Sequence, residues 1–176
     1  ERLATMFFPK TLQLIIGCAS EPTLYKNYLS IIKTAKNEYK VPFVGITTNG
    51  QLISNDDVVS LVRSKLDEIT ISVHGTNATT YEEFMVNASF DKLVNLLSNL
   101  ELEKSRVNSV LPRLRINYTV NRHNLDELSS FFDVFGKYTI DTLQVRPMVD
   151  VGHTAFPHRP MTSVELNQYQ SVIAKL

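Results

Sequence analysis

The sequence predicts a parallel α/β domain, and three observations carry that prediction. Short runs rich in β-branched residues alternate with longer segments of helical periodicity. The runs recur at intervals of roughly 25 to 45 residues, the spacing of strand–helix–strand units with right-handed connections. The strands are also dense enough in apolar residues to predict burial on both faces, either in a doubly wound sheet or in a barrel.

The first strand is predicted at Leu12-Gln13-Leu14-Ile15-Ile16, ending in Gly17. Pro22 favours a helix start, and Tyr25, Leu29, Ile32 and Ala35 continue at helical spacing. Phe43 to Thr48 forms the second strand, closed by the turn pair Asn49-Gly50. Ser54 then caps a helix with Asp57 three residues on, and Val58, Leu61 and Val62 make its apolar face. Leu66 to Val73 is the third strand, broken by His74-Gly75. Thr76 to Asn99 divides into two helical pieces, one carrying Tyr81, Phe84 and Met85, the other Phe90, Leu93, Val94 and Leu97.

Leu114 to Val120 is the fourth strand, and Asn124-x-x-Glu127 has the spacing of a capping box ahead of a helix that ends at Gly136. In that helix the cluster Phe131, Phe132, Phe135 reads as core. Arg113 and Arg115, alternating with Leu114 and Ile116, suggest a solvated strand edge. The fifth strand is Thr142 to Val145. A loop with Gly152, Pro157 and Pro160 leads to Thr162-x-x-Glu165, a full capping box for a last helix.

Composition narrows the function. With 176 residues the chain suits one domain with a real core. Eighteen basic residues balance 18 acidic ones, so no net field gathers nucleic acid or anionic lipid. No apolar run reaches the length of a membrane span, and Glu1-Arg2-Leu3-Ala4-Thr5 does not begin a signal peptide. The single cysteine, Cys18, excludes an intramolecular disulfide and fits a reducing compartment. A cytoplasmic domain with neither nucleic acid nor membrane as partner is expected. The chain opens without Met, and Leu3, Met6 and Phe7 read as the tail of a helix, so an upstream segment is expected as well. Gly-x-Gly-x-x-Gly, P-loop and Gly-x-Ser-x-Gly patterns are absent, which argues against hydride, phosphoryl and Ser-hydrolase chemistry. His153 and His158 share a Pro-rich loop without a third ligand at metal spacing.

The strand ends are where chemistry concentrates. The first reaches Ser20-Glu21, the second Thr47-Thr48-Asn49, the third Ser72 and His74, the fourth Asn117 and Asn121, the fifth Arg146 and then Asp150. In parallel α/β folds the carboxyl ends of all strands lie on one side, where ligands bind. Glu21 and Arg146 are poor turn formers, so turn chemistry alone does not explain the set.

These segments, in this order, resemble the radical S-adenosylmethionine (SAM) enzymes. Gly17-Cys18-Ala19-Ser20-Glu21-Pro22 looks like the Gly-Gly-Glu-Pro segment after the family's second strand. Thr47-Thr48-Asn49-Gly50 resembles the Thr-Asn-Gly ending of the third, and Ile71-Ser72-Val73-His74-Gly75 the Ser-x-Asp/His-Gly ending of the fourth. Ile116-Asn117-Tyr118-Thr119-Val120-Asn121 and Val145-Arg146-Pro147 are similar to the fifth and sixth. The resemblance implies a partial (β/α)6 TIM-like barrel of mostly parallel strands. Residues 1–176 would form its core domain, holding strands two to six with the first missing.

It also implies the cofactors: SAM, and a 4Fe–4S cluster held by three cysteines spaced C-x3-C-x2-C. An electron from a donor such as flavodoxin or ferredoxin would cleave SAM to a 5′-deoxyadenosyl radical that abstracts hydrogen from an unknown substrate, a peptide or protein by analogy. Carried over to this sequence, Ser20 and Glu21 would meet the SAM ammonium, and Thr48 and Asn49 would line its methionyl end. Ser72 would donate to the carboxylate or ribose, Asn117 would bond the ribose hydroxyls, and Arg146 would meet a carboxylate or substrate anion.

Two departures stand out. Ala19-Ser20 replaces paired glycines, and Cys18 stands where three cysteines are required, so the cluster segment is expected before Glu1 and this chain alone would be inactive. A non-catalytic barrel binding module and an ordinary barrel lyase are the alternatives. The lyase would need a catalytic Lys at a strand end, whereas Lys65 and Lys137 precede strands. Without its first strand the barrel also exposes an edge able to self-associate.

Overall fold

A computed structural model describes residues 2–17, 20–148 and 161–175. Its centre is one five-stranded sheet in the order β1-β2-β3-β4-β5, with every neighbouring pair parallel. The strands are β1 (Gln13–Ile16), β2 (Phe43–Thr48), β3 (Glu68–Val73), β4 (Arg113–Val120) and β5 (Thr142–Pro147). Strict sequential order decides between the two architectures left open by the sequence. No point exists where the strand order reverses, so right-handed connections put every crossover helix on the same side. The sheet is a stretch of barrel wall that does not close.

The helices are α1 (Arg2–Phe7), α2 (Tyr28–Lys33, continued by a π-turn at Thr34–Glu38), α3 (Asn55–Arg63), α4 (Ala78–Phe84), α5 (Phe90–Arg106), α6 (Phe131–Phe135) and α7 (Ser163–Ile173). Ser54 and Asp57 bond reciprocally to start α3, and Thr162 and Glu165 do the same for α7, as their spacing predicts. Pro22 opens only a short 3-10 turn, Pro22–Leu24, so α2 begins at Tyr28, six residues after the start that Pro22 suggests.

The expectation of two apolar faces is corrected by the structure. Along β4 burial alternates strictly: Leu114, Ile116, Tyr118 and Val120 are at most 3% exposed, while Arg115, Asn117 and Thr119 are half-buried on the opposite face. Register extends the alternation sideways, because residues paired across parallel strands share a face. Val44, Ile46, Ile69, Ile71 and Val73 join the apolar side and meet Leu61, Leu93, Leu97, Phe131 and Phe135 of the helices in one core. The other side carries Thr47, Glu68, Thr70, Ser72, Arg115, Asn117, Thr119, Thr142, Gln144 and Arg146. One face builds the fold, and the concave face is polar.

Arg113 and Arg115 therefore mark no sheet edge, since β4 is flanked by β3 and β5. Arg115 reaches across to Glu68 through paired bonds, Nε to Oε1 at 3.0 Å and Nη2 to Oε2 at 3.1 Å. At the amino ends of the strands two aspartates act as pegs. Asp67 accepts from the backbone N–H of Val44 at 2.7 Å and from Lys36 Nζ at 2.7 Å, and Asp141 accepts from that of Leu114 at 2.8 Å. Each ties the start of its own strand to the preceding one.

Candidate functional site

At the carboxyl ends of the strands the chain turns sharply, and side chains stitch each turn to its neighbour. Gly17 follows β1 with φ +83°, and a Cβ there would lie 2.4 Å from the carbonyl oxygen of Thr47. Only glycine lets the loop cross the end of β2 so closely. The loop then presents Glu21, whose Oε1 accepts from Thr23 N at 3.1 Å, Thr23 Oγ1 at 2.5 Å and Thr48 Oγ1 at 2.6 Å. Its Oε2 accepts from Asn49 N at 2.8 Å. Three of these four bonds fall on Oε1, so the chain itself takes up most of the acceptor capacity of this carboxylate and leaves one position on Oε2.

The next stitch is Gln51. Its Oε1 accepts from Ser89 N at 2.8 Å, and its Nε2 donates to Tyr81 Oη at 3.0 Å and Ser89 O at 3.2 Å. Burial raises the Tyr81 phenol to about 12, so the hydroxyl stays protonated.

The third stitch replaces the predicted capping box. Asn124 and Glu127 cap no common helix, because both side chains reach back to the loop after β3. Asn124, fully buried, donates from Nδ2 to His74 O at 2.8 Å and to Thr119 O at 2.9 Å, and its Oδ1 accepts from Asn121 N at 2.7 Å. Glu127 accepts from Thr76 N at 2.9 Å, from Thr76 Oγ1 at 3.2 Å and from Thr80 Oγ1. The motif spacing is real, but its partners lie about fifty residues away in sequence.

The structure distributes the sequence-predicted site residues as follows. Ser72 and Asn117 are direct register partners on the concave face. Arg146 stands two positions beyond Gln144, the register partner of Asn117, and donates from Nη2 to Gln144 Oε1 at 2.8 Å. Asn49 lies at the end of β2, with its Oδ1 accepting from Gln51 N at 2.9 Å. Ser20 is exposed on the same rim. Thr48 instead pairs in register with Ile71, on the apolar side, and is 2% exposed. Its hydroxyl donates to Glu21 and accepts from Gly50 N at 3.0 Å. The concave position at the end of β2 belongs to Thr47, which motif matching passed over. Gln144, Asn124 and Glu127 were missed as site-building residues too; alternation along β4 and β5 would have found Gln144.

His74 follows β3 with its Nδ1 buried and unpartnered, and burial pushes its imidazole below the usual histidine range. Asn117 Oδ1 and Asn121 Nδ2 are likewise buried without partners. A buried polar atom normally finds a partner, so three unmet ones at adjoining strand ends fit an external polar group. These residues thus suit SAM, which carries hydroxyl, amine and carboxylate functions. The cluster is different. The sequence has one cysteine, and no group of three or more His, Cys, Asp or Glu that could hold a metal occurs among the described residues. The thiolate set of a 4Fe–4S cluster is not met by this chain, and Cys18, Asp150, His153 and His158 lie outside the described residues. Lys65 and Lys137 sit before β3 and β5, at the end opposite the site.

An open parallel (β/α) barrel with hydrogen-bonding groups delivered by successive strand ends defines a ligand-binding barrel. Comparison gives its kind: the family model described as "Radical SAM superfamily" matches residues 1–142, and the chain belongs to that superfamily. The family's cofactors are SAM and a 4Fe–4S cluster. A probable GTP 3',8-cyclase of Saccharolobus islandicus is 28% identical over 149 residues, covering 82% of this chain and 46% of the relative. The mycofactocin maturase MftC of Mycolicibacterium smegmatis is 28% identical over 131 residues, 72% of this chain and 31% of the relative. The chain thus spans less than half the length of these relatives. Streptococcus suis SuiB bound to S-adenosylmethionine superposes with a TM-score of 0.72 at 19% identity, over 93% of this chain and 35% of that one. This likeness confirms the barrel fold. No helix among the described residues is long and apolar enough to cross a membrane.

Proposed function

We propose that residues 1–176 are the core domain of a radical SAM enzyme, with β1 to β5 corresponding to the second to sixth strands of the family barrel. One observation supports the reading: five parallel strands turn their carboxyl ends to one side of the sheet, with Ser72 and Asn117 in register on its polar face and Arg146 one strand further on that face. Ser72 and Asn117, side by side, would take the ribose, and Arg146 a carboxylate. The Glu21 carboxylate already receives four donors, three of them on Oε1, so backbone carbonyls at Ser20 and Glu21 together with the remaining position on Oε2 would meet the ammonium while the Glu21 side chain fixes Thr48 and Asn49. SAM with a reduced cluster supplies a carbon-centred radical able to take a hydrogen atom from substrate. The chain's own part is to hold the nucleoside against the sheet and keep it oriented.

A peptide is the substrate class this reading favours. Solved relatives of the same fold include SuiB bound to precursor peptide SuiA and anSMEcpe with a bound Kp18Cys peptide. Charge on the concave face agrees. Arg115 is already committed to Glu68 and Arg113 stands at the amino end of β4, which leaves Arg146 as the arginine at the carboxyl end of that face among the described residues and favours an uncharged substrate over a triphosphate. GTP, named for the curated relatives, is the competitor. A donor such as flavodoxin or ferredoxin would supply the electron, and this chain alone, lacking three thiolates, would be inactive.

Electron paramagnetic resonance of the full-length gene product tests this, after anaerobic reconstitution with iron and sulfide, with and without SAM. A reduced-cluster signal that changes on adding SAM is expected. A reconstituted full-length protein with no cluster signal would overturn the enzyme reading in favour of a barrel binding module.

A further inference from the structure

Five buried side-chain atoms among the described residues lack a hydrogen-bond partner: Tyr28 Oη, His74 Nδ1, Glu103 Oε1, Asn117 Oδ1 and Asn121 Nδ2. Glu103 lies on α5, where its carboxylate has Arg63 and Arg106 each at 3.7 Å, and Tyr28 lies on α2. The other three fall together along β3 and β4. Asn117 is level with Ser72, His74 stands two residues beyond Ser72, and Asn121 four beyond Asn117. At the rise of a strand they span about 13 Å from within the sheet to its rim.

The layer beneath them is different. Glu68, Thr70 and Arg115 satisfy one another, with Thr70 Oγ1 donating to Glu68 Oε1 at 3.3 Å beside the bidentate pair. Unmet capacity is therefore confined to the upper layer of the face. One side chain ties the His74 and Asn121 ends of this layer together. Asn124, 0% exposed, bonds the backbone of His74, of Thr119 and of Asn121 with one side chain. Asn121 is 5% exposed, and its Oδ1 accepts from His123 N at 2.7 Å, so the amide orientation leaving Nδ2 unpaired is fixed by the chain itself.

We propose that His74, Asn117 and Asn121 form one strip kept unpaired for a ligand, and that Asn124 is the positioning residue that aligns its His74 and Asn121 members with Asn117, which the sheet holds. The strip offers one acceptor, one donor and a ring nitrogen that serves as either, with no formal charge. It suits a neutral group that both donates and accepts, a hydroxyl or an amide. The ribose of SAM and the amide of a peptide both carry that chemistry. The inference rests on the reading above for the first source and stands without it for the second.

The strip has a signature that structural polar residues lack. An unpaired buried atom costs stability, so removing it leaves the free protein as stable or more so, while ligand affinity falls. The test uses full-length protein with 15N-labelled histidine and two probes added separately, SAM and N-acetylalanine methylamide. One of them is expected to move the His74 ring resonances: SAM alone assigns the strip to the nucleoside, the amide alone to substrate. His74→Phe is expected to weaken that probe about tenfold with an unchanged or higher Tm, the loss of one unreplaced hydrogen bond. Asn124→Asp, which keeps Oδ1 and loses the donor, is expected to broaden or shift the His74 signals in the free protein and weaken the same probe.

Resonances unmoved by either probe would overturn the strip. So would a His74→Phe protein that loses affinity and Tm together, because that is the mark of a packing role. If wild-type protein fails to bind SAM but its His74 signals respond to the amide, the SAM reading falls and the strip stands.

Discussion

The first pair of strands and the second pair are closed at their tops by different devices. Between β1 and β2 a single carboxylate, Glu21, does the work from a half-buried position, taking bonds from two hydroxyls and two backbone amides. Between β3 and β4 the task is divided: Glu127 gathers Thr76 and Thr80, while Asn124 alone touches the residues that face the concave side. An ionised acceptor suits the first position because every partner donates. The second must donate to two carbonyls and accept from one N–H, which an amide can do and a carboxylate cannot. The choice of side chain at each clasp follows from whether the backbone there presents donors or acceptors.

The sharpest way to break this contrast is to exchange the chemistry. Asn124→Leu leaves two carbonyls and one N–H without their partner in a fully buried place, and we expect a loss of about 3 kcal/mol in urea unfolding. Glu21→Gln keeps the shape but turns one acceptor into a donor facing N–H and O–H groups, with an expected loss of about 1–2 kcal/mol. Glu127→Gln should cost a similar amount. Because the two carboxylates share no partner, the double variant should be additive within about 0.5 kcal/mol. Non-additivity well beyond that would mean that the two clasps open as one unit.

A smaller effect concerns pH. The His74 pKa in the folded protein is lowered from its ordinary 6.5, so the unfolded chain binds the proton first. Its contribution to stability is complete above that value and is lost as pH falls through the lowered one. Wild-type protein should lose more stability than His74→Gln between neutral pH and pH 5, read from the midpoint of denaturation. At the bottom of the scale, Arg146→Ala should change stability by less than about 0.5 kcal/mol, since the side chain is exposed and its bond among the described residues is to Gln144.

Much of the architecture was legible in the sequence. Strand β2 falls on Phe43–Thr48 as read, and two of the capping motifs form as their spacing requires. What failed did so for identifiable reasons. The dense Ile and Val of β3 hid the strict alternation Glu-Ile-Thr-Ile-Ser-Val, so a one-sided strand was taken for a two-sided one. Asn124 and Glu127 show the limit of local pattern. Three-residue spacing is shared by a helix cap and by a clasp to a distant loop, and only tertiary contact chooses between them. Motif position placed Asn117 and Ser72 on the concave face correctly, yet it selected Thr48 where alternation selects Thr47.

The division of labour between the two sides of the sheet has an evolutionary consequence. Along β3 and β4, every second residue feeds the helix-packed core and its neighbours do not. Deep mutational scanning should therefore show tolerance rising and falling with a period of two, a comb in which Ile116 and Tyr118 are constrained by folding while Asn117 and Thr119 answer only to chemistry. A lineage can then exchange one substrate for another by editing the teeth of that comb, with the barrel wall left standing at each step.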